Sequence, residues 1–336
     1  MGGFPDQADM SILNKQLAAF LVGIALAAHA AGADGQDATL ILPKWRHGDI
    51  VEYRMIRTRN DPRGLMPPDV ATTPVTLTVV TESDRGFVVE WRQGATTGSI
   101  QSESNPVTRE MLKLVERAPL MLQVSPVGQV LGLANWEVLR DEAFVTFDRV
   151  LAAAQKAGTT PGLVERAGPE LRERFASKDV VSGTLVRDAR TLLLAMTQPS
   201  VASETTVPGL LSNPLGGEPF PSTVKWTARQ SPGTTARATV RWTHAVAFDT
   251  SSALVREVLT KAITTLGRPV PDLSGVTATA SGVGAAEIDL TSGWPEFIEE
   301  TTTVSVNGRT SIDTTRFERV RHAAVAPARV REPRSQ

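Results

Sequence analysis

The residues that could catalyse a reaction or hold a metal are few in this sequence, and they lie far apart. The chain has no cysteine, so it offers no thiol nucleophile, thiolate ligand or disulfide. Outside the N-terminal segment the histidines are His47, His244 and His322, which follow no spacing typical of metal ligands. There is no phosphate-binding glycine loop, calcium loop or Gly-x-Ser-x-Gly elbow. We expect no metal and no cofactor, and we interpret each histidine as a surface or strand residue.

One short segment places a carboxylate in a sequence similar to a known catalytic motif. Residues 248–252 read Phe-Asp-Thr-Ser-Ser and resemble the Phe-Asp-Thr-Gly-Ser-Ser signature of aspartic proteases. That resemblance implies two aspartates sharing one proton, which depends on the glycine that Ser251 replaces and on a second copy of the motif. This sequence has neither. We favour the alternative that Asp249 accepts hydrogen bonds from amides in the first turn of a helix, so we predict no catalytic residue.

Aromatic side chains form the pattern with most bearing on ligand binding. Five of them lie on or beside predicted strands: Tyr53, Trp91, Trp226, Trp242 and Trp294. On the concave face of a curved sheet they would line an apolar cavity and bind an apolar ligand. The alternative is that each one packs in the core or at a strand edge.

The N-terminal segment is typical of a secretory signal peptide. Lys15 precedes the apolar run 17–28, and small-x-small sites follow that end at Ala30 and Ala33. The run is shorter than the roughly 20 residues of a membrane span. We predict a signal peptide over 1–33 and an exported, soluble protein in the periplasm or outside the cell, with no stable membrane anchor after cleavage. The alternative is an uncleaved N-terminal anchor.

Charge excludes some classes of partner. The sequence carries 35 basic and 36 acidic side chains, and the predicted signal peptide contains one basic and two acidic residues, so the remainder is formally neutral. A neutral chain has no overall field that attracts nucleic acid or an anionic membrane, and no basic segment is interleaved with aromatic residues. We therefore expect no nucleic-acid partner.

Hydrophobic periodicity predicts strands near both ends of the chain and helices in the middle. The predicted strands include 50–56, 75–82, 86–91, 223–228 and 239–248. The longer predicted helices are 135–156, 187–196 and 249–266.

Proline content suggests a division of the chain. Five prolines between 199 and 221 mark a Pro-rich linker or loop. It separates residues 34–198, an N-terminal β-rich half with central helices, from residues 222–321, a C-terminal β-α-β half. Small residues, proline and arginine make 322–336 a predicted disordered tail.

The last β-rich run, 284–320, contains the strongest local signal, an Asn-Gly pair at 307–308 between alternating residues. A two-residue turn at this pair would put Val304 and Ile312 on opposite faces of the hairpin. A three-residue loop would bring them to one face, and we favour it because it gives a continuous apolar surface. In either register we interpret the run as the end of a sheet that begins near Gly48.

Together these elements predict an α+β fold, a curved antiparallel β-sheet similar to a half-barrel, with mid-chain helices packed against it. Over 49–133 and 223–320 the chain resembles the periplasmic lipoprotein-carrier and lipid-binding half-barrel proteins, and also secreted bacterial proteins of this length. The resemblance implies a curved sheet that cups helices around an apolar cavity. It includes no motif that would assign functional residues.

Three functional hypotheses follow, of which we favour the first. It is an exported soluble binding protein whose curved sheet holds an apolar small molecule or lipid. The second is a scaffold or protein-interaction module of the cell envelope, in which loops 60–74 and 199–221 bind an envelope protein. The third is a hydrolase in which Asp249 faces a second carboxylate.

Overall fold

An open sheet of eleven antiparallel strands forms the framework of the protein. The computed structural model describes residues 41–60, 67–98, 116–156, 168–169, 172–173, 175–197, 204–211, 219–231, 236–265 and 269–323. These residues all belong to the compact unit Thr39–Gln336. The predicted signal peptide lies outside the described residues. Of the predicted disordered tail 322–336, His322 and Ala323 belong to the last strand, so the prediction is wrong for these two residues, and the rest lies outside the described residues.

The strands fall into two groups along the chain. The first group is β1 (Ile50–Arg59), β2 (Asp69–Ser83), β3 (Gly86–Gln93), β4 (Leu120–Val124) and β5 (Val130–Leu133). The second group is β6 (Glu204–Leu211), β7 (Phe220–Gln230), β8 (Arg237–Ala245), β9 (Ala278–Asp289), β10 (Pro295–Val306) and β11 (Arg309–Ala323).

Each group forms a meander, and one strand pair joins the two meanders. The order across the sheet is β5-β4-β3-β2-β1-β11-β10-β9-β8-β7-β6. We call β1–β5 the N-terminal meander and β6–β11 the C-terminal meander. Strand β1 pairs with β11 from Ile50 opposite Ala323 to Arg59 opposite Asp313. This pairing confirms that the final run closes a sheet beginning near Gly48, and the division of the chain into two halves stays a prediction.

Among the described residues, three α-helices of eight residues or more lie in the connection between the two edge strands, β5 and β6. They are α1 (Trp136–Lys156), α2 (Lys178–Leu185) and α3 (Arg187–Leu194). Helices α2 and α3 contact β5, and α3 also contacts β10 near the middle of the sheet. A further helix, α4 (Phe248–Thr265), links β8 to β9 and packs on β9 and β7. The predicted fold class, α+β with a curved antiparallel sheet and mid-chain helices packed against it, is confirmed.

Alternation along the strands gives the sheet a buried face, which we call the inward face and on which these helices pack. On β8, for example, Ala238, Val240, Trp242 and His244 are buried and alternate with exposed or half-buried residues. The inward residues of both meanders and those of α1–α3 form one main hydrophobic cluster. A smaller cluster around Phe220 lies against α4.

The hairpin of β10 and β11 corrects the register favoured from the sequence. Val306 pairs with Arg309, so the turn contains only residues 307–308. Both have positive φ, 48° and 79°, as a type I′ turn requires. Val304 is consequently buried on the inward face and Ile312 exposed on the other. The favoured register is wrong because the type I′ turn matches the twist of the strands, which outweighs the exposure of one isoleucine.

Two predicted loops contain regular structure. Glu204–Leu211 forms β6 and pairs with β7, so irregular chain over 199–221 is wrong for these residues. Pro208 is compatible with a strand at this place because β6 is an edge strand among the described strands, and on that side it has no neighbour in the described part of the chain. Likewise β2 begins at Asp69, inside the predicted loop 60–74.

Candidate functional site

The five aromatic residues predicted to bind a ligand all lie within the main hydrophobic cluster. Tyr53, Trp91, Trp226, Trp242 and Trp294 are between 0% and 3% exposed. Four of them are carried by strands, and Trp294 directly precedes β10. Because these rings are almost completely buried, a ligand would have to separate side chains that pack together here. Ligand binding by these five residues stays a prediction.

Ring contacts divide these residues into groups. Trp226 and Trp242 lie opposite each other on neighbouring strands, with ring centroids 5.2 Å apart. Trp91 and Tyr53 both meet Phe317 edge-on, with centroids 6.0 Å and 6.4 Å from it. Such ring pairs fix the positions of neighbouring side chains on the inward face.

A further tryptophan that sequence reasoning missed completes the third group. Trp45 stacks on Trp294 with centroids 4.0 Å apart and planes at 13°. The Lys44 amide donates to the Ser292 carbonyl at 3.2 Å and so holds the segment before β1 against the turn before β10. The apolar residues 40–43, which come shortly before Trp45 and β1, were a signal that could have identified this residue.

Four tryptophans bury an indole N–H that has no hydrogen-bond acceptor among the described residues. They are Trp45, Trp91, Trp226 and Trp294. A buried donor left without an acceptor costs about 1–3 kcal/mol, and buried polar groups in proteins are rarely left so. Trp242 differs, because its Nε1 donates to Glu300 Oε1 at 3.3 Å. An apolar ligand that also carries hydrogen-bond acceptors would satisfy such donors.

Tyr53 offers a donor whose partner is already in place. Its hydroxyl donates to the Pro295 carbonyl at 2.8 Å. Burial raises the pKa of the Tyr53 phenol far above its ordinary value, and this effect outweighs the opposing charge of Arg319. Tyr53 therefore stays a neutral hydrogen-bond donor and takes no part in proton transfer near neutral pH.

A small charged group lies beside Tyr53 at the end of the sheet. Arg319 donates to Glu296 at 2.9 Å and to Asp289 at 3.4 Å. Burial raises the pKa of the Asp289 carboxyl, but hydrogen bonds from Thr291 and Ser292 and the Arg319 charge together lower it below its ordinary value. Asp289 is therefore ionised at neutral pH and anchors the turn between β9 and β10.

The inward face of the C-terminal meander carries a polar centre around Glu300. The Glu300 carboxylate accepts from Trp242 Nε1 and from Thr191 Oγ1 of α3, both at 3.3 Å. His244 Nε2 lies 3.5 Å from Glu300 Oε1. Strand β8 and helix α3 thus place polar atoms beside one largely buried carboxylate, which β10 carries. Glu300 and Thr191 were not singled out from the sequence, because nothing local marks them as partners.

Two glycines on β9 make this arrangement possible. Gly284 pairs with Trp242 and Gly282 pairs with His244, and both glycines lie between β8 and β10. A Cβ on Gly284 would come within 2.1 Å of Trp242 Cε2, and one on Gly282 within 3.3 Å of His244 Cδ2. The side chains of β8 can therefore cross β9 and reach Glu300.

Ionic contacts hold α3 over the middle of the sheet. Asp188 of α3 forms an ion pair with Arg57 of β1. Arg59 of β1 donates to Asp313 of β11 at 2.7 Å, and Arg187 of α3 lies 4.0 Å from the same carboxylate. These contacts are partly exposed, so we expect each to contribute little free energy while fixing the position of the helix.

The other residues considered for chemistry do not come together. Asp249 is exposed in the first turn of α4, which suits an acidic residue at a helix start and not one of two buried carboxylates sharing a proton. In the described part of the chain, no three of the ligand types His, Cys, Asp and Glu are placed to hold a metal ion. No described helix combines the length and hydrophobicity needed to cross a membrane.

Comparisons with known proteins leave the family open. No protein-family model matches the chain, and no curated protein matches it. Among solved structures the chain is similar to lipovitellin, from a study of its lipid–protein interactions, with 8% identity and a TM-score of 0.39. The match covers 85% of this chain and 26% of lipovitellin, so the chain spans about a quarter of the length of that protein. Similarity at this level supports no inference about function.

Proposed function

We propose that this protein is an exported soluble binding protein that holds an apolar ligand bearing hydrogen-bond acceptors against the inward face of its sheet. The observation that carries the proposal is the set of buried indole donors that find no acceptor among the described residues, at Trp45, Trp91, Trp226 and Trp294. A fatty acid or an acyl ester has a matching composition, since its chain suits the apolar cluster and its oxygens suit the N–H groups.

Access to this face requires movement of the covering helices. Helix α3 is attached over β1, β10 and β11 through the contacts of Asp188, Arg187 and Thr191. Water can replace these polar side-chain contacts at modest cost when the helix lifts. Leu192 and Leu193 of α3 are buried in the main cluster, and the apolar chain of the ligand would replace their contacts there. The main cluster would then open between α3 and the strands that carry Trp226 and Trp242.

Native mass spectrometry of the mature protein, followed by solvent extraction, tests ligand binding. We expect a mass above that of the polypeptide and an acyl lipid in the extract. Replacing Trp226→Phe removes an unpaired N–H, and we expect it to lower ligand retention. Trp136→Phe, on α1, is the matched control and should retain ligand as the native chain does. A bare polypeptide mass after detergent-free purification would contradict the proposal.

Export is tested separately from binding. We expect intact mass and N-terminal sequencing of the protein from the periplasmic or extracellular fraction to show a start after Ala30 or Ala33. An uncleaved chain retained with the membrane fraction would favour the N-terminal anchor instead.

A further inference from the structure

Three side chains on the inward face of the C-terminal meander form a line that the ligand-binding proposal does not use. Ser222 Oγ lies 2.9 Å from His244 Nδ1. On the other side of the imidazole, His244 Nε2 lies 3.5 Å from Glu300 Oε1. A hydroxyl, an imidazole and a carboxylate in series are the components of an activated serine nucleophile.

The geometry matches these roles when the imidazole proton resides on Nε2. His244 Nδ1 then accepts the hydrogen bond of the Ser222 hydroxyl, and the protonated Nε2 lies 3.5 Å from Glu300 Oε1. The Nε2 contact is longer than an ordinary hydrogen bond, and His244 Nε2 has no closer acceptor among the described residues. Catalytic hydrogen bonds are often long in ligand-free proteins and tighten when substrate binds.

The imidazole and the carboxylate behind the serine are largely shielded from water. Ser222 is partly exposed, whereas the side chains of His244 and Glu300 are 2% and 11% exposed. Ser222 lies opposite Gly209 of the edge strand β6, so no side chain on that strand stands directly across from the hydroxyl. A substrate can therefore reach the serine while the base and the carboxylate stay shielded from water.

We propose that Ser222, His244 and Glu300 form an acyl-ester hydrolysis site. Ser222 Oγ forms a bond to the ester carbonyl carbon while its proton passes to His244 Nδ1. The carbon–oxygen bond to the alcohol breaks, and His244 returns the proton to the departing alkoxide. Water then forms a bond to the acyl carbon and gives a proton to His244. The bond between that carbon and Ser222 Oγ breaks as His244 passes the proton to Oγ, which releases the acid and restores the serine. Glu300 is a positioning residue that orients the imidazole and stabilises its charged form.

The surroundings indicate an apolar acyl group. Phe220 lies two residues before Ser222 on the same face, and Leu211 pairs with Phe220 from the edge strand. Both belong to the smaller cluster together with Val255 of α4. A hydrocarbon chain extending from the serine toward this cluster would meet apolar side chains. This activity goes beyond ligand retention on the tryptophan-lined part of the sheet and does not depend on it.

Labelling with a fluorophosphonate probe tests the nucleophile in the full-length mature protein. We expect the folded protein to be labelled, the heat-denatured protein not to be, and tandem mass spectrometry to place the probe on Ser222. Ser222→Ala and His244→Gln should abolish labelling. Ser311→Ala replaces another serine on the inward face and should be labelled like the native chain. Probe on a different serine, or no labelling of the folded protein, would overturn the proposal.

Ester hydrolysis tests the role of Glu300 and the acyl preference. We expect p-nitrophenyl decanoate to be cleaved with a higher kcat/KM than p-nitrophenyl acetate. Glu300→Gln should lower kcat at least ~100-fold with little change in KM, because it alters imidazole orientation and not substrate binding. An unchanged kcat, or an equal loss with Ser311→Ala, would refute the assignment.

Should Ser222→Ala fail to fold, the position of the probe on the native chain decides the question alone. Ligand retention in native mass spectrometry reports on the binding proposal independently.

Discussion

The two meanders share one sheet but use their inward faces differently. Across the N-terminal meander, Val51, Leu77, Trp91 and Leu120 follow one another in register and are buried without polar partners between them. Across the C-terminal meander, the corresponding rows hold His244 beside Gly282 and Trp242 beside Gly284, with Glu300 on the next strand. The first arrangement is an apolar core. The second is a hydrogen-bonded polar group surrounded by an apolar core.

This difference assigns separate tasks to the two regions. A continuous apolar row stabilises a fold through buried area. A polar group of the kind around Glu300 contributes little net stability, because desolvation offsets its hydrogen bonds, but it specifies positions closely. We therefore expect substitutions of aliphatic residues in the N-terminal meander, such as Leu77, to change stability alone, and substitutions around Glu300 to change both geometry and chemistry.

The largest effect is expected from Leu77→Ala in the N-terminal meander. Leu77 is fully buried, and its truncation should lower the free energy of unfolding by about 2–5 kcal/mol in urea denaturation. Fluorophosphonate labelling of the folded fraction should stay unchanged. Leu131→Ala, at a β5 residue that is 59% exposed, is the control and should cost less than about 0.5 kcal/mol. Equal losses in the two variants would show that the apolar row is not the stabilising region.

Gly284→Ala should be the most disruptive substitution in the C-terminal meander. The new methyl would lie 2.1 Å from Trp242 Cε2, and the rigid indole would have to leave its place. We expect a loss of about 3 kcal/mol from overpacking, together with loss of the Trp242–Glu300 hydrogen bond.

Gly183→Ala in α2 serves as the matched control, because a Cβ there meets nothing within 4 Å. It should raise stability by about 0.5–1 kcal/mol through helix propensity. A tolerated alanine at 284 would mean that the indole does not cross β9 in solution.

Comparing Trp242 with Trp226 separates the contribution of the indole hydrogen bond to stability from the contribution of the buried ring. Both indoles are buried on neighbouring strands, but only Trp242 has an acceptor for its N–H among the described residues. Trp242→Phe should therefore cost about 1.5–3 kcal/mol more than Trp226→Phe, because it breaks a bond to a carboxylate. Thermal or urea unfolding of the two variants measures this difference. Equal losses of stability in the two variants would mean that Glu300 does not accept a hydrogen bond from Trp242.

The smallest effect concerns Asp289 at the end of the sheet. Its pKa in the folded protein is below the ordinary value of 3.8, so the ionised carboxylate stabilises the fold above that pH. The contribution is lost as pH falls through the lower folded-state pKa. Acid unfolding curves of Asp289→Asn should be flatter below about pH 4 than those of the native chain. Thr291→Val, which removes one hydroxyl donor, should give an intermediate slope. An unfolding curve steeper for Asp289→Asn than for the native chain would contradict the direction of the pKa shift.

Much of the sheet could be predicted from local sequence, and most of the site could not. Alternation identified the strands around Tyr53, Trp91 and Trp242 and placed each on the correct kind of element. The hairpin register was mistaken because apolar continuity was ranked above turn twist at 307–308. Strand β6 was missed because Pro208 was treated as a breaker, although its compatibility depends on lying at a sheet edge. Glu300 carries no local signal, since its partners come from distant strands and from α3.

The sequence by itself determined which residues alternate, where the Asn-Gly turn lies, and that the described core is built without disulfides. Only the tertiary structure decided that β1 pairs with β11, that the helical connection covers the inward face, and that Ser222, His244 and Glu300 align. The physical reason is that alternation and turn geometry act over a few residues, whereas pairing between distant strands depends on the closure of the whole sheet. Gly282 illustrates this, because its small size matters only once the distant residues Leu211 and His244 pack against it.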